Sequence, residues 1–223
     1  MTKHERRGPS HAVHTDAAMT PYSGRRSGRR KQRGGSVKRL IVGITGADGC
    51  SIGVRLLQIL SILPDVETHL VVTPSAERTL ALEGCPPLAQ LRGLVSFFHA
   101  ADDMAAVIAS GSFFTDGMII APCSMKTMAA LASGYTDNLL QRAADVCLKE
   151  GRKVVAIPRE MPLSRIHLRN MLTASEAGCV IIPPVLTFYN KPRSVTDHID
   201  HILGKALMSI GITPPAFRAW QGG

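Results

Sequence analysis

Five short apolar, β-branched runs recur along this chain, and they constrain its fold more than any other feature. They are Lys38 to Thr45 (KRLIVGIT), Glu67 to Thr73 (ETHLVVT), Gly117 to Ala121 (GMIIA), Lys153 to Pro158 (KVVAIP) and Cys179 to Pro183 (CVIIP). Each run contains a contiguous apolar stretch rather than an alternation, which is the pattern of a strand buried on both faces. Between them lie segments with helical spacing. The first, Ile52 to Leu63, places Ile52, Leu56, Ile59, Leu60 and Leu63 on one side and stops at Pro64. Further helices are predicted over Ser75 to Glu83, Met125 to Ser133, Asn138 to Glu150, Ser164 to Ala177 and Val195 to Ile210. Strands alternating with helices make βαβ units, a parallel sheet and helices on both of its faces. The expected architecture is a three-layer α/β sandwich of Rossmann-like or flavodoxin-like type.

The chain has 223 residues, enough for one domain and a tail. Its formal charge of +9 is concentrated at the start. Residues 1–38 hold ten basic residues, among them Arg25, Arg26, Arg29, Arg30, Lys31 and Arg33, against Glu5 and Asp16. The domain organisation expected is a basic, disordered tail over 1–37 and a single domain over 38–223. A start at Met19 and an Arg-rich presequence are alternatives for the tail. No apolar run reaches the roughly 18 residues that a membrane span needs, so no membrane association is expected. The five cysteines (Cys50, Cys85, Cys123, Cys147 and Cys179) have no CxxC spacing, and the sequence offers no metal-ligand cluster. A reducing cytoplasm is the expected location.

Ligands of open parallel sheets gather at the carboxyl ends of the strands. There the sequence puts Gly46-Ala47-Asp48-Gly49, Thr73-Pro74-Ser75, Pro122-Cys123-Ser124 and Pro158-Arg159-Glu160. The first is a tight turn into a helix, either a backbone cradle for phosphate or a plain Gly turn capped by Asp48. It is neither a Walker P-loop nor a full GxGxxG fingerprint. Ser124 and Thr127 open a helix, where hydroxyls serve as caps or as partners of a polar ring or phosphate. Arg142 and Lys149 lie two turns apart on one helix face. Arg159 and Glu160 follow a buried strand and point into the crevice or form a surface ion pair. Tyr189 offers a phenol on a loop, and Trp220 is the only tryptophan.

In this order the pieces resemble the UbiX/Pad-type flavin prenyltransferases from Lys38 to Trp220. The resemblance is carried by KRLIVGITGADG, IIAPCSMKTMAALASGYTDNL, QRAADVCLKEGRKVVAIPREMPLSRIHLRNML and PPVLTFYNKP. The stretch SGSFFTDGMII resembles in particular members encoded as the B subunit of non-oxidative hydroxyarylic acid decarboxylases. The resemblance implies metal-independent transfer of a dimethylallyl group from dimethylallyl monophosphate to N5 and then C6 of reduced FMN. The prenylated FMN would serve a UbiD-type decarboxylase. It also implies a homo-oligomer, often a dodecamer, with flavin at subunit contacts. Gly46, Ala47, Asp48, Gly49, Thr73, Ser124, Thr127 and Arg142 are implied for FMN, and Glu83 near the reacting centre. Lys149, Arg159, Glu160, Tyr189 and Lys205 are implied around the prenyl phosphate, with Glu160 its proton donor; Trp220 is a candidate lining for the allyl group.

Three positions depart from the family pattern. Asp48 stands where Ser or Thr is usual, Lys205 where the family has arginine, and Thr73-Pro74 where it has Ser-Lys. Lysine keeps the charge of arginine but loses its bidentate fork. Asp48 supports an alternative, an FMN-binding accessory subunit with little transferase activity. A flavin-dependent cysteine decarboxylase is disfavoured because Pro122 to Thr127 replaces a PASANT-like motif. Nucleic-acid binding would rest on the tail alone and is not expected.

Overall fold

The structure, a computed structural model, describes residues 37–214 and 217. The expectations for the tail before Val37 and for Trp220 lie outside the described residues.

Six strands form one sheet: β1 (Lys38–Ile44), β2 (Val66–Val72), β3 (Phe97–His99), β4 (Gly117–Cys123), β5 (Lys153–Pro158) and β6 (Cys179–Ile181). Their order is β3-β2-β1-β4-β5-β6 and every neighbouring pair is parallel. This is the doubly wound order, whose direction of winding reverses between β1 and β4. Seven α-helices accompany it: α1 (Cys50–Ser61), α2 (Pro74–Leu82), α3 (Leu88–Arg92), α4 (Met125–Ser133), α5 (Leu139–Lys149), α6 (Arg165–Glu176) and α7 (Val195–Ser209). None is long and apolar enough to cross a membrane.

Alternate side chains of the apolar strands feed two cores, which is why those runs carry no polar face. Leu40, Val42 and Ile44 of β1 pack with Leu56, Leu57 and Leu60 of α1 and Leu203 and Leu207 of α7. Ile41, Met118, Ile120 and Val154 pack with Leu140, Ala143 and Cys147 of α5 on the other side. Helix α1 lies so near β4 that a Cβ on Gly53 would stand 2.3 Å from the carbonyl oxygen of Ala121. The cysteines are all unpaired, and Cys50, Cys123, Cys147 and Cys179 serve as small buried hydrophobes.

Two elements escaped the sequence reading, edge strand β3 and short helix α3. Each has five residues or fewer, too few to display a period. Helix α6 is unusual in burying only Ala174. Its Ile166, Leu168 and Leu172 are exposed, as are Met161, Val185, Leu186 and Phe188 beyond its ends. Such an apolar surface exceeds the scattered hydrophobics of an ordinary monomer surface.

A polar chain runs from the surface to the buried His69 beside β3. Arg39 Nε donates to Glu67 Oε1 at 2.7 Å, and His69 Nε2 lies 3.0 Å from the same oxygen. A carboxylate only accepts, so His69 donates from Nε2 and its Nδ1 accepts from His99 Nε2 at 3.0 Å. Burial holds the His69 imidazole below its ordinary value despite Glu67, and burial likewise lowers His99. The unfolded chain therefore binds these protons more readily than the folded one. Stability is present above the ordinary value near 6.5 and falls as pH drops through it towards the depressed folded values. Hydrogen bonding from His69 lowers Glu67, whose contribution is lost at still lower pH, beneath its ordinary 4.5. Urea unfolding across pH 7.5 to 5.5, conditions spanning about one unit either side of that imidazole value, should show falling stability. His69→Gln should flatten that slope; an unchanged slope would remove the imidazole pair as its source.

Candidate active site at the switch point

The crevice between the carboxyl ends of β1 and β4 is closed by Thr45. Its hydroxyl donates to Pro122 O at 2.7 Å and accepts from Ser124 N–H at 2.8 Å. The side chain is 1% exposed, so both bonds are made away from water. Thr45 was read from sequence only as the last residue of a strand. Its signal is a polar residue ending an otherwise apolar run.

On the β4 side, Ser124 is the N-cap of α4 and accepts from Thr127 N–H at 3.3 Å, with the two hydroxyl oxygens 3.1 Å apart. On the β2 side, Thr73 caps α2 by accepting from Ala76 N–H at 3.2 Å, and Pro74 fills the first helical position. That position needs no N–H, so the proline costs the helix nothing. Ser75 Oγ lies 3.1 Å from Thr73 Oγ1 and joins the hydroxyl set, although the sequence names it only as part of the Thr73-Pro74-Ser75 cluster, without a role of its own. A Cβ on Gly46 would meet Ser75 at 2.5 Å, so the first turn and the start of α2 are in close contact.

The turn itself differs from expectation. Asp48 does not cap α1; the N-cap is Gly49, at φ 90° with no capping side chain of its own. That positive φ suits glycine. The cap comes from Glu83, which follows α2. Its Oε1 accepts from Gly49 N–H at 2.7 Å and Cys50 N–H at 3.1 Å, and its Oε2 accepts from Ser51 N–H at 3.1 Å. Glu83 thus places a carboxylate where helix dipole and free N–H groups favour an anion. No local spacing reveals this, because the partners are over thirty residues apart. The same carboxylate adds to burial in pushing the Cys50 thiol up to about 12, and that thiol is inert at neutral pH.

Asp48 instead forms an ion pair with Arg159 across the crevice. Arg159 N–H donates to Cys123 O at 3.1 Å, fixing the backbone after β5 against the end of β4. Glu160, exposed beside it, accepts from Met161 N–H at 3.0 Å.

The other candidates stand apart within one chain. Arg142 Nε donates to Ala109 O at 3.2 Å and Nη1 to Asp145 at 2.9 Å. Lys149 ends α5 and donates to Glu150 at 2.6 Å. Lys149 precedes β5 and Arg159 follows it, so the length of that strand, roughly 17 Å, separates them. Tyr189 Oη lies 3.3 Å from His201 Nε2 on α7. Lys205, one turn further along α7, lies exposed in a shallow pocket with Ile182 and Pro183. Among the described residues no group of three His, Cys, Asp or Glu side chains is placed to hold a metal.

A parallel sheet of this order is the doubly wound α/β architecture, in which ligands bind at the switch point where these hydroxyls and paired charges lie. The family model described as Flavoprotein matches residues 29–208. The chain is 50% identical over 188 residues to flavin prenyltransferase UbiX of Escherichia coli K12, covering 83% of this chain and all of the relative. A crystal structure described as a dodecameric FMN-dependent UbiX-like decarboxylase from Escherichia coli O157:H7 superposes with a TM-score of 0.80. The two chains are 52% identical, covering 82% of this chain and 100% of that one. The structure of AnUbiX (PadA1) in complex with FMN and dimethylallyl pyrophosphate also gives 0.80, at 47% identity over 83% of this chain and 98% of the other. The chain belongs to the UbiX-like flavin prenyltransferase family of flavoproteins.

The donor chemistry of the crevice suits FMN. Hydroxyls of Thr73, Ser124 and Thr127 and the backbone N–H groups of Gly46 and Asp48 can meet a flavin's polar edge or phosphate, whereas Ala47 N–H is taken by Thr45 O. The start of α1 is a further exception, since Glu83 already takes its first N–H groups.

Proposed function

We propose that the chain moves a dimethylallyl group from dimethylallyl monophosphate to reduced FMN. The observation that carries this reading is the convergence of the hydroxyl-bearing starts of α2 and α4 with Arg159 and Glu160 at one switch point. Family membership supports it. When bound, reduced FMN supplies the nucleophilic positions that receive the group. Gly46, Ala47, Asp48, Gly49, Thr73, Ser124 and Thr127 hold and orient it, with Arg142 beside it. Glu83 stands near the reacting centre and keeps the Gly49 turn in place.

Arg159, Lys149, Tyr189 and Lys205 take the prenyl phosphate, and their positive charge stabilises the charge that develops on the leaving group. Glu160 gives a proton to that leaving phosphate. Lys149 and Arg159 reach one phosphate when Lys149 comes from a neighbouring copy, which fits assembly into a homo-oligomer such as a dodecamer. The exposed apolar surface of α6 suits the same assembly. The product serves a UbiD-type decarboxylase, and the unpaired cysteines suit a cytoplasmic location. The basic tail is an extension to a single flavoprotein domain over 38–223.

Anaerobic incubation with reduced FMN and dimethylallyl monophosphate tests the reading. Mass analysis of the extracted flavin should show a gain of one C5H8 unit, and Arg159→Ala should suppress it. Unmodified FMN that remains bound would replace the transferase by the accessory-subunit reading, which the Asp48 carboxylate in the crevice favours.

A further inference from the structure

We propose that Asp48 is a tethered counter-anion of Arg159, displaced by an incoming phosphoryl group, and that it makes the site prefer a phosphate monoester to a diphosphate. The inference rests on the reading of Arg159 as a phosphate ligand. Three observations lead to it.

First, the Asp48 side chain is 72% exposed, and its carboxylate is held by the guanidinium of Arg159. An exposed ion pair of this kind is weakly held, so a dianion can replace the carboxylate. Second, the exchange needs little movement of the main chain. Arg159 is anchored through its N–H on Cys123 O at 3.1 Å, and Asp48 adjoins Gly49, which Glu83 fixes at 2.7 Å. Only the two side chains have to part. Third, the anchored backbone means that Asp48 stays at the mouth after displacement. A bound phosphate therefore has a carboxylate as its neighbour.

That neighbour penalises charge in proportion. In water-like surroundings, each further negative charge about 6 Å from a carboxylate weakens binding roughly threefold. A diphosphate carries about one more charge than a monophosphate, and Asp48 selects against it by that factor. A neutral side chain at this position would leave Arg159 free and the penalty absent.

Calorimetric titration with inorganic phosphate and with pyrophosphate tests the idea without turnover. Asp48→Asn should bind both more tightly, with pyrophosphate gaining roughly threefold more than phosphate. The same shift should appear in kcat/KM for dimethylallyl diphosphate relative to the monophosphate. In an Arg159→Gln background the gain from Asp48→Asn should shrink by the part that comes from competition for the guanidinium, while the extra gain of pyrophosphate, which comes from the carboxylate's own repulsion, should remain. Weaker binding of both anions to Asp48→Asn would make Asp48 a positioning residue for Arg159 and overturn the proposal. Equal gains, no gain, a gain undiminished in Arg159→Gln, or no measurable anion binding by either protein would overturn it too. A wild type that discriminates between the anions but yields no prenylated flavin would leave this inference standing and remove the transferase reading.

Discussion

Gly53→Val is expected to yield a chain that does not fold, and Gly53→Ala one that folds with a loss of about 2–3 kcal/mol. The reason is a contact with backbone. A Cβ at Gly53 would lie 2.3 Å from Ala121 O and 3.0 Å from two atoms of Ile44. A flexible side chain could move aside, but the Ala121 carbonyl belongs to β4, which is paired on both sides. The helix would have to lift away from β4, opening the core that holds Leu56, Leu57 and Leu60. That displacement would also drag the Gly49 turn out of the crevice, so damage to folding and to the site would arrive together. Urea unfolding followed by far-UV dichroism measures the effect. An alanine variant with the wild-type midpoint would show that α1 tolerates the shift.

Glu83→Ala is expected to cost about 2 kcal/mol of stability and to slow turnover by two orders of magnitude or more, about the effect of losing a preorganised electrostatic group. Three N–H groups lose their acceptor at once, and the turn from Gly46 to Gly49 loses the group that holds it. The expected signature separates positioning from mere support of the fold. At a temperature where the variant is fully folded, kcat should fall while KM for the prenyl phosphate changes little, because Arg159 is anchored independently on Cys123. Glu83→Gln keeps one acceptor oxygen and should fall between the two. A variant that loses stability but keeps wild-type kcat would confine Glu83 to capping.

The difference between what could and could not be read from sequence follows from the range of each interaction. Strands such as β1 and β4 declared themselves because burial on both faces demands an unbroken apolar run, a property of contiguous residues. The cap Ser124 was visible for the same reason, since a cap and its N–H lie three residues apart; Thr73, which caps α2, was legible only as the end of a strand and, through the resemblance, as a residue for FMN. Glu83 was legible as a site residue only through the family resemblance, and its cap on α1 was not legible at all. That bond joins segments brought together by the crossing of α2 over the start of α1. Asp48 shows the same limit in reverse. Local spacing offered it as a cap in one of two readings of the turn, whereas the fold presents it with Arg159, 111 residues away. The separation of Lys149 from Arg159, by contrast, follows from the strand that the sequence already predicts over Lys153 to Pro158, although the resemblance groups the two around one phosphate.

The concealment of the thiols bears on how this protein experiences oxidants. Cys50, Cys123, Cys147 and Cys179 are at most 3% exposed, and burial raises all four above the range in which a thiolate forms at neutral pH. An oxidant or alkylating agent meets them only when the sheet and its helices come apart. Cys85, half-buried beside Glu83, is the one thiol within reach of solvent in the folded chain. The four hidden sulfurs therefore act as a record of unfolding, modified once for each molecule that opens and left intact in every molecule that does not.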